Sequence, residues 1–268
     1  MGKRSIIYIV IALITVGLLM LLQYNKPKEI NWYPSYVSTH SIPYGTVVLN
    51  NVMQNLFEDK LRPVNEPPFA FLNDSTGVEG TYFFLNDYVE FGEAELDALL
   101  EWTSEGNTLF IASSDFEKQL LDTLHLKIGS VYSGLYQEQL QRHSLLSPKL
   151  EPEKGYIFER DGYASYFRMT DSTRTGVIGH VSAKAENDSV PEKHYNVIEK
   201  KFGNGKIILS AFPKAFTNYF ILKDDNKGYT AGLLSYLDGS RTIFWDNHYK
   251  AGKTFYTSPM YIFLNTKE

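Results

Sequence analysis

The chain has 268 residues, of which 43% are hydrophobic and 15% aromatic, and its formal net charge is −5. This composition is typical of a folded protein with one or two hydrophobic cores, not of a disordered chain. The negative charge and the lack of a Lys/Arg run with interleaved aromatics argue against nucleic acid as a partner. Cysteine is absent, which excludes disulfides, a thiolate nucleophile, thiolate-bound zinc and acylation on cysteine.

The chain begins with an apolar segment, Ser5 to Leu22, which contains no charge and follows Lys3 and Arg4. As a helix it would be about 27 Å long, enough to cross a thin bilayer core. A cleaved signal peptide is disfavoured because no small-residue cleavage site follows the segment. A buried core helix is disfavoured because the segment is apolar on all sides. We therefore expect a cytoplasmic tip and membrane anchor over residues 1–24. The charge bias predicts a cytoplasmic N-terminus and an extracytoplasmic, periplasmic globular part.

The next stretch, residues 25–43, is interpreted as a polar linker followed by an aromatic, proline-marked segment that lies on the domain surface. Pro43 then fits the first turn of a helix over residues 44–56, where apolar residues recur at helical spacing. Two short apolar runs, 69–73 and 81–86, are expected to be strands.

The segment EAELDALLEWTSEGNTLFIAS, residues 93–113, predicts an amphipathic helix over 93–104, a stop at Gly106 and then a strand. The strand TLFIAS shows no polar alternation, so it should be central and covered on both faces. The order strand, helix, strand favours a right-handed parallel crossover.

The following region, about 125–195, loses the helical period and is predicted to be a β-rich insertion. After it, NVIEKKFGNGKIILSAFP predicts two strands joined by Gly203-Asn204-Gly205, a sequence typical of hairpin turns. Helices over 215–222 and 229–237 and a final strand, RTIFWD, complete an α/β domain over 44–250.

Small polar residues follow the central strand, where α/β folds commonly place their chemistry. Ser113 and Ser114 are candidate nucleophiles, but their context, IASSDF, lacks the G-x-S-x-G pattern of serine hydrolases. Ser114 or Asp115 could instead cap the next helix, and the sequence favours capping.

The six histidines show no spacing that would place two ligands on one helical face, so no metal is expected. Asp246 and His248 form the best candidate pair, because residues two apart on an extended chain point to the same side and the carboxylate could orient the imidazole. A surface hydrogen bond that closes the sheet is the alternative. The glycines of FGNGK lie in a hairpin and not before a helix, so no cofactor is expected.

Several segments together resemble a known family: WYPSY (32–36), PYGT (43–46), the unit at 93–113, GNGKIILSAFPKAFTNYFIL (203–222) and IFWDNHY (243–249). They are similar to the domain-of-unknown-function family 4350 (DUF4350) of Bacteroidetes and other bacteria. The resemblance implies a membrane-anchored α/β domain with a flavodoxin-like, type 1 glutamine amidotransferase-like fold: a mostly parallel sheet, helices on both faces and a β-rich insertion. It also implies that the protein is encoded near MoxR-type ATPases and von Willebrand factor A proteins. Active amidotransferases use a cysteine, which this chain lacks, and the family brings no established catalytic residues.

The resemblance implies that members typically continue past the last motif into a second transmembrane helix, so either this member is short or residues 251–268 are an extension towards such a helix. We expect a non-enzymatic domain that binds or scaffolds another protein, or binds a small ligand, in a complex at the cytoplasmic membrane. One alternative is a hydrolase of envelope material that uses Ser113 or Ser114 with His180 or His248. The other is a carbohydrate-binding domain, for which the 19 tyrosines and 3 tryptophans could supply stacking faces.

Overall fold

The computed structural model describes residues 2–24, 30–74, 77–132, 141–146, 155–169, 175–183 and 192–252. The chain divides into two compact units, Met1–Asn31 and Trp32–Glu268. The first unit contains helix α1 (Lys3–Tyr24), in which the apolar stretch Arg4–Leu22 has no buried residue. By length and composition α1 is able to cross a membrane, although a signal sequence would have the same properties.

The second unit contains six further helices and thirteen strands among its described residues. The helices are α2 (Val47–Phe57), α3 (Pro68–Asp74), α4 (Glu93–Ser104), α5 (Lys118–Thr123), α6 (Asn218–Leu222) and α7 (Lys227–Leu234). The strands are β1 (Leu61–Val64), β2 (Gly80–Leu85), β3 (Tyr88–Val89), β4 (Thr108–Ala112), β5 (Asp115–Phe116), β6 (Leu126–Tyr132), β7 (Gln141–Leu145), β8 (Tyr156–Phe158), β9 (Tyr163–Met169), β10 (Thr175–Ala183), β11 (Glu192–Phe202), β12 (Gly205–Ser210) and β13 (Thr242–Asp246). Short 3-10 turns lie at Glu58–Lys60, Pro213–Phe216 and His248–Lys250.

One large sheet organises the second unit. Nine of the described strands pair in the order β1-β13-β2-β4-β12-β11-β10-β7-β8. The first five strands are parallel to one another, and the remaining four continue the sheet in antiparallel pairings. Two small sheets, β3-β5 and β6-β9, lie apart from this order. The parallel half therefore passes into the β-rich insertion through the β11–β12 hairpin.

Both faces of the parallel half are covered by helices. Strands β2 and β4 are buried at every position, and their side chains alternate between two cores. Phe83 and Phe110 pack in the core that includes residues of α2, α6 and α7, whereas Tyr82 and Leu109 pack in the core that includes residues of α3, α4 and α5. This double burial explains why these strands read as unbroken apolar runs.

The strongest local patterns are confirmed. Helix α4 has the predicted bounds, and Gly106 follows it with a φ of 118°. Strand β4 is central, with β2 and β12 parallel on either side. In the β11–β12 hairpin, Gly203 has a φ of 58° at the first of two turn residues, a position where glycine is favoured because it has no Cβ.

The prediction of a strand at 69–73 is wrong, because this run lies in helix α3. Pro68 suits the first turn of a helix, where its missing N–H leaves no bond unmade. Phe71 is buried in the core, with its ring centroid 5.8 Å from that of Tyr82 and 5.2 Å from that of Phe244, and Leu72 packs against the same core, while Phe69 is exposed. A five-residue apolar run has too little length to reveal its period, so tertiary packing decided its conformation.

The aromatic segment before α2 also differs from its surface interpretation. Tyr36 is completely buried and Tyr44 nearly so, and both belong to the core on the α2 face. The turn that contains Pro43 is closed by a hydrogen bond from the Gly45 N–H to the Ile42 carbonyl. Helix α2 consequently begins only at Val47 and not in the turn that holds Pro43.

The two C-terminal helices are shorter than predicted. Thr217 is extended, with a ψ of 157°, so the expected helix over 215–222 is divided into the turn Pro213–Phe216 and helix α6. The expected helix over 229–237 is α7, which begins at Lys227 and ends at Leu234.

Candidate functional site

A polar cavity of about 320 Å³ lies at the carboxyl ends of β2, β4 and β12. Asp87 follows β2, Ser114 follows β4, and Lys214 lies in the turn that follows β12. Strand β7 and the residues around the start of β9 line the remainder. This edge of a parallel sheet is where α/β proteins commonly bind their ligands.

The two serines after β4 bond to the loop after β2. The buried Ser113 hydroxyl lies 3.0 Å from the Asp87 carbonyl oxygen and 2.5 Å from that of Asp115. The Ser114 hydroxyl donates to Asp87 Oδ1 at 2.8 Å. Neither hydroxyl is hydrogen-bonded to a histidine, the usual base for a serine nucleophile. The structure therefore does not bring Ser113 or Ser114 into a pair with His180 or His248.

The expected helix cap is a second correction. Helix α5 begins only at Lys118, and its N-cap position is held by Glu117, which makes no capping bond. Asp115 Oδ1 instead accepts the N–H of Phe116, within the two-residue strand that pairs with β3. This strand pairing separates Ser114 and Asp115 from the helix, so neither can cap it.

Asp87 is held in place from both sides. Its N–H donates to Asn86 Oδ1 at 2.9 Å, and its carbonyl accepts the Ser114 N–H at 3.0 Å. Asn86 is buried and its amide donates to the Tyr249 carbonyl. None of the ion pairs among the described residues includes Asp87. The cavity thus contains a positioned carboxylate that forms no ion pair within the part of the chain that the structure describes.

Two buried tyrosines lie beside the cavity carboxylates. Burial raises the pKa of Tyr36 well above its usual range, and the charges of Asp87 and Asp161 raise it further. Burial, and to a smaller extent the charge of Asp161, likewise raises the pKa of Tyr44. Tyr36 adopts a φ of 54°, which a bulky residue rarely does, and is held there by its N–H bond to the Tyr44 carbonyl. Both phenols are therefore protonated at neutral pH.

Lys214 and Asp161 both line the cavity and form an ion pair. The Lys214 ammonium also lies 5.5 Å from the centre of the Tyr44 ring. Lys214 thus pairs with Asp161, whereas no ion pair among the described residues includes Asp87.

A buried hydrogen-bond network forms the wall beneath Asp161. The Gln141 amide donates to the carbonyls of Asp161 and Tyr163, both at 2.8 Å. Its oxygen, which can only accept, lies 3.2 Å from His143 Nε2, and His143 Nδ1 lies 3.0 Å from Asn196 Nδ2. This arrangement assigns the His143 proton to Nε2.

His143 is a poor candidate for a base. Burial, with a smaller contribution from His180, lowers the pKa of His143 to about 3. Its ring also stacks on Phe212 at a centroid distance of 3.7 Å. The imidazole is therefore neutral at physiological pH and both of its nitrogens are engaged, so it supports the wall and does not activate Ser114.

Comparison with known families identifies the chain. Residues 38–234 match the model of the family described as "Domain of unknown function (DUF4350)". The chain belongs to the DUF4350 family. A comparison with curated protein sequences finds no match.

Several solved structures are distantly similar to this DUF4350 chain. The "mmIFT52 N-terminal domain" is 11% identical with a TM-score of 0.49, over 70% of this chain and 89% of that one. Cytoplasmic Protein STM3548 from Salmonella typhimurium is 9% identical with a TM-score of 0.42, over 65% and 76%. A β-galactosidase from Bacillus circulans sp. alkalophilus is 11% identical with a TM-score of 0.32, over 58% of this chain but only 22% of the enzyme. Scores and identities this low carry no argument about function.

The Asp246–His248 pair of this DUF4350 chain is a third correction. Asp246 Oδ1 accepts the backbone N–H of His248 at 3.1 Å and makes no hydrogen bond to the imidazole. The chain turns at Asn247, whose N–H donates to the Val64 carbonyl, so the two side chains do not project from one extended strand. Asp246 is completely buried, and its Oδ2 has no hydrogen-bond partner among the described residues.

Asp246 is expected to make stability depend on pH. Burial, opposed by the charge of Lys250, raises the pKa of Asp246 from 3.8 to about 6. The folded protein thus holds this proton more tightly than the unfolded chain, so the stabilisation is complete below pH 4 and is lost as the pH rises through 6. Relative to Asp246→Asn, we expect the wild-type free energy of unfolding to fall by about 3 kcal/mol over this range.

Urea denaturation of both proteins from about pH 4 to pH 8 measures this difference. The pH dependence of this difference is unaffected by any pH-independent change in the free energy of unfolding that asparagine causes beside Lys250. A difference that stays constant across the range would contradict a raised pKa for Asp246.

The sequence pointed to some of the residues that line the cavity but not to others. Ser114 was a candidate, and Asp87 was recognisable as the residue that follows a buried strand. Gln141, His143 and Asp161 belong to the insertion, where no motif distinguishes them from other polar residues. Within the described ranges, no group of three or more His, Asp and Glu side chains is arranged to hold a metal ion.

Proposed function

We propose that this DUF4350 protein is a non-enzymatic, membrane-anchored domain whose polar cavity binds a ligand or a partner's polar group within a complex at the cytoplasmic membrane. The observation that carries the proposal is the bond from Ser114 to Asp87 at the carboxyl edge of the sheet. The cavity offers carboxylates, a hydroxyl and an ammonium group, while its histidine is neutral and fully bonded. Such a set of groups is suited to holding a polar molecule, whereas a hydrolase needs a base that can accept the serine proton.

The proposed location follows from α1 and its flanking charges. An uncleaved α1 would anchor the domain, with Lys3 and Arg4 in the cytoplasm and Trp32 onwards in the periplasm. The family resemblance adds a bacterium of the Bacteroidetes type and a MoxR ATPase/von Willebrand factor A system as the setting of the complex.

The proposal also keeps an amidotransferase-like frame for the domain. The parallel crossover from β2 through α4 to β4, followed by a small-residue loop, supports it. Numbered along the chain, the five parallel strands stand in the order 1-5-2-3-4, which differs from the 2-1-3-4-5 order of flavodoxin. The frame is therefore proposed from the loop after β4 and not from the strand order.

Recovery of a specific partner tests the function. The full chain, tagged at its N-terminus, is isolated from detergent-solubilised membranes after cross-linking of intact spheroplasts with a membrane-impermeant reagent. We expect a specific partner that is enriched with the wild type and at least about tenfold reduced with Asp87→Ala, because a charge-assisted contact of this kind contributes 1.4 kcal/mol or more. Asp97→Ala, an exposed substitution on α4, is the matched control.

Three outcomes would contradict the proposal. Recovery of no specific partner from solubilised membranes would remove the binding role in a complex. Hydrolysis of envelope material that Ser114→Ala abolishes would instead establish the enzymatic alternative. Cross-linking that requires lysis of the spheroplasts would reverse the proposed orientation.

A further inference from the structure

The cavity has an exposed aromatic side chain at its rim. Tyr163, the first residue of β9, lines the cavity and is 65% exposed. Its ring lies 4.7 Å from that of Tyr132, with an angle of 41° between the planes. Most of the other aromatic side chains of the second unit are buried in the two cores. Tyr163 therefore offers an exposed aromatic ring beside the cavity, against which an apolar face of a ligand can pack.

Hydrogen-bonding groups lie directly beside this aromatic face. The carbonyl of Tyr163 and that of Asp161 bind the same Gln141 amide, which fixes the rim relative to the cavity wall. Asp161 lies two residues before Tyr163, and Asp87 accepts the Ser114 hydroxyl through Oδ1 and a hydrogen bond from the Tyr36 side chain. Carboxylates accept hydrogen bonds from hydroxyl groups strongly, and a carboxylate can accept from two at once.

The charge of the cavity limits what it can take. Its lining contains the carboxylates of Asp87 and Asp161 and the ammonium of Lys214, while His143 is neutral because its pKa is lowered to about 3. Among the described lining residues, one negative charge is thus in excess. An anionic ligand would meet this charge at short range in a partly enclosed site, where repulsion is stronger than in water.

We propose that the cavity binds a neutral saccharide, with one sugar ring stacked on Tyr163 and its hydroxyl groups bonded to Asp87 and Asp161. The apolar C–H face of a sugar ring matches an exposed aromatic ring, and its hydroxyl pairs match carboxylates. A cavity of about 320 Å³ is at the small end of ligand sites, which suits a mono- or disaccharide unit. This inference rests on the proposed binding function and names the ligand class.

Calorimetric titration of the full chain tests the proposal, in a detergent without a sugar headgroup. The probes are glucose, galactose, mannose and N-acetylglucosamine, their β-1,4-linked disaccharides, and glucuronic acid as the anionic comparison. We expect at least one neutral probe to bind and glucuronic acid to bind more weakly. We expect Tyr163→Ala to weaken that binding about 3- to 10-fold, Tyr163→Phe to retain it and Asp87→Ala to abolish it.

Tyr195→Ala is the matched control, because Tyr195 is 43% exposed on β11 and is absent from the cavity lining. The proposal is overturned if no neutral saccharide binds, if glucuronic acid binds as tightly, or if Tyr163→Ala and Tyr195→Ala have equal effects. The outcome is separable from that of the proposed function. A partner that is still recovered in an Asp87-dependent manner when no saccharide binds would remove only the ligand class.

Discussion

Replacement of Phe110 by alanine is expected to lower the free energy of unfolding by about 3–5 kcal/mol. Phe110 lies on the central strand β4 and is completely buried. The centroid of its ring lies 5.2 Å from that of Phe83 and 6.1 Å from that of Phe216. Phe83 belongs to the neighbouring strand β2 and Phe216 to the turn after β12. The substitution would leave a cavity between rigid elements that cannot close around it.

Urea denaturation of the full chain in detergent micelles, followed by tryptophan fluorescence, measures this loss. Phe69→Ala is the matched control, because Phe69 is 47% exposed on α3 and its truncation should cost less than about 1 kcal/mol. Equal losses for Phe110→Ala and Phe69→Ala would show that β4 is not at the centre of the core.

Replacement of Gly205 by alanine is expected to cost about 3 kcal/mol or more. A Cβ at this position would lie 2.1 Å from the Thr103 carbonyl oxygen, 2.2 Å from that of Asn107 and 2.9 Å from the Asn107 nitrogen. These are backbone atoms at the end of α4 and the start of β4, so no side chain can rotate away. The strand β12 or the end of α4 would have to move.

Gly176→Ala provides the control for Gly205→Ala. Gly176 lies in β10, and the nearest atom to its Cβ position is the Glu199 carbonyl oxygen at 3.8 Å, an ordinary contact. Alanine there should leave stability unchanged or raise it slightly, because it restricts the unfolded chain. A cost for Gly176→Ala equal to that for Gly205→Ala would contradict the steric explanation.

The Gly205 substitution also has a consequence for the cavity. Strand β12 ends at Ser210, whose carbonyl accepts the Ser113 N–H at 3.0 Å, and continues to the turn that carries Lys214. Displacement of β12 would therefore move one wall of the cavity. We expect Gly205→Ala to weaken ligand or partner binding as well as stability.

The sequence alone determined the elements whose information is local. Helix α4, strand β4 and the β11–β12 hairpin each contain a full period or a glycine turn within a few residues, and their positions agree with the structure. The apolar helix α1 belongs to the same class. The DUF4350 identification also came from such local segments and agrees with the match over residues 38–234.

Only the tertiary structure decided the remainder, because it depends on contacts between residues distant in the chain. The run at 69–73 forms a helix in which Phe71 packs against Phe244. Ser114 bonds to Asp87 across the β2–β4 pairing and does not cap α5. The cavity wall requires the Gln141 bonds to the residues around β9 and the ion pair of Lys214 with Asp161. No local pattern in the sequence indicates pairings of this kind, so only the tertiary structure shows which residues form the cavity.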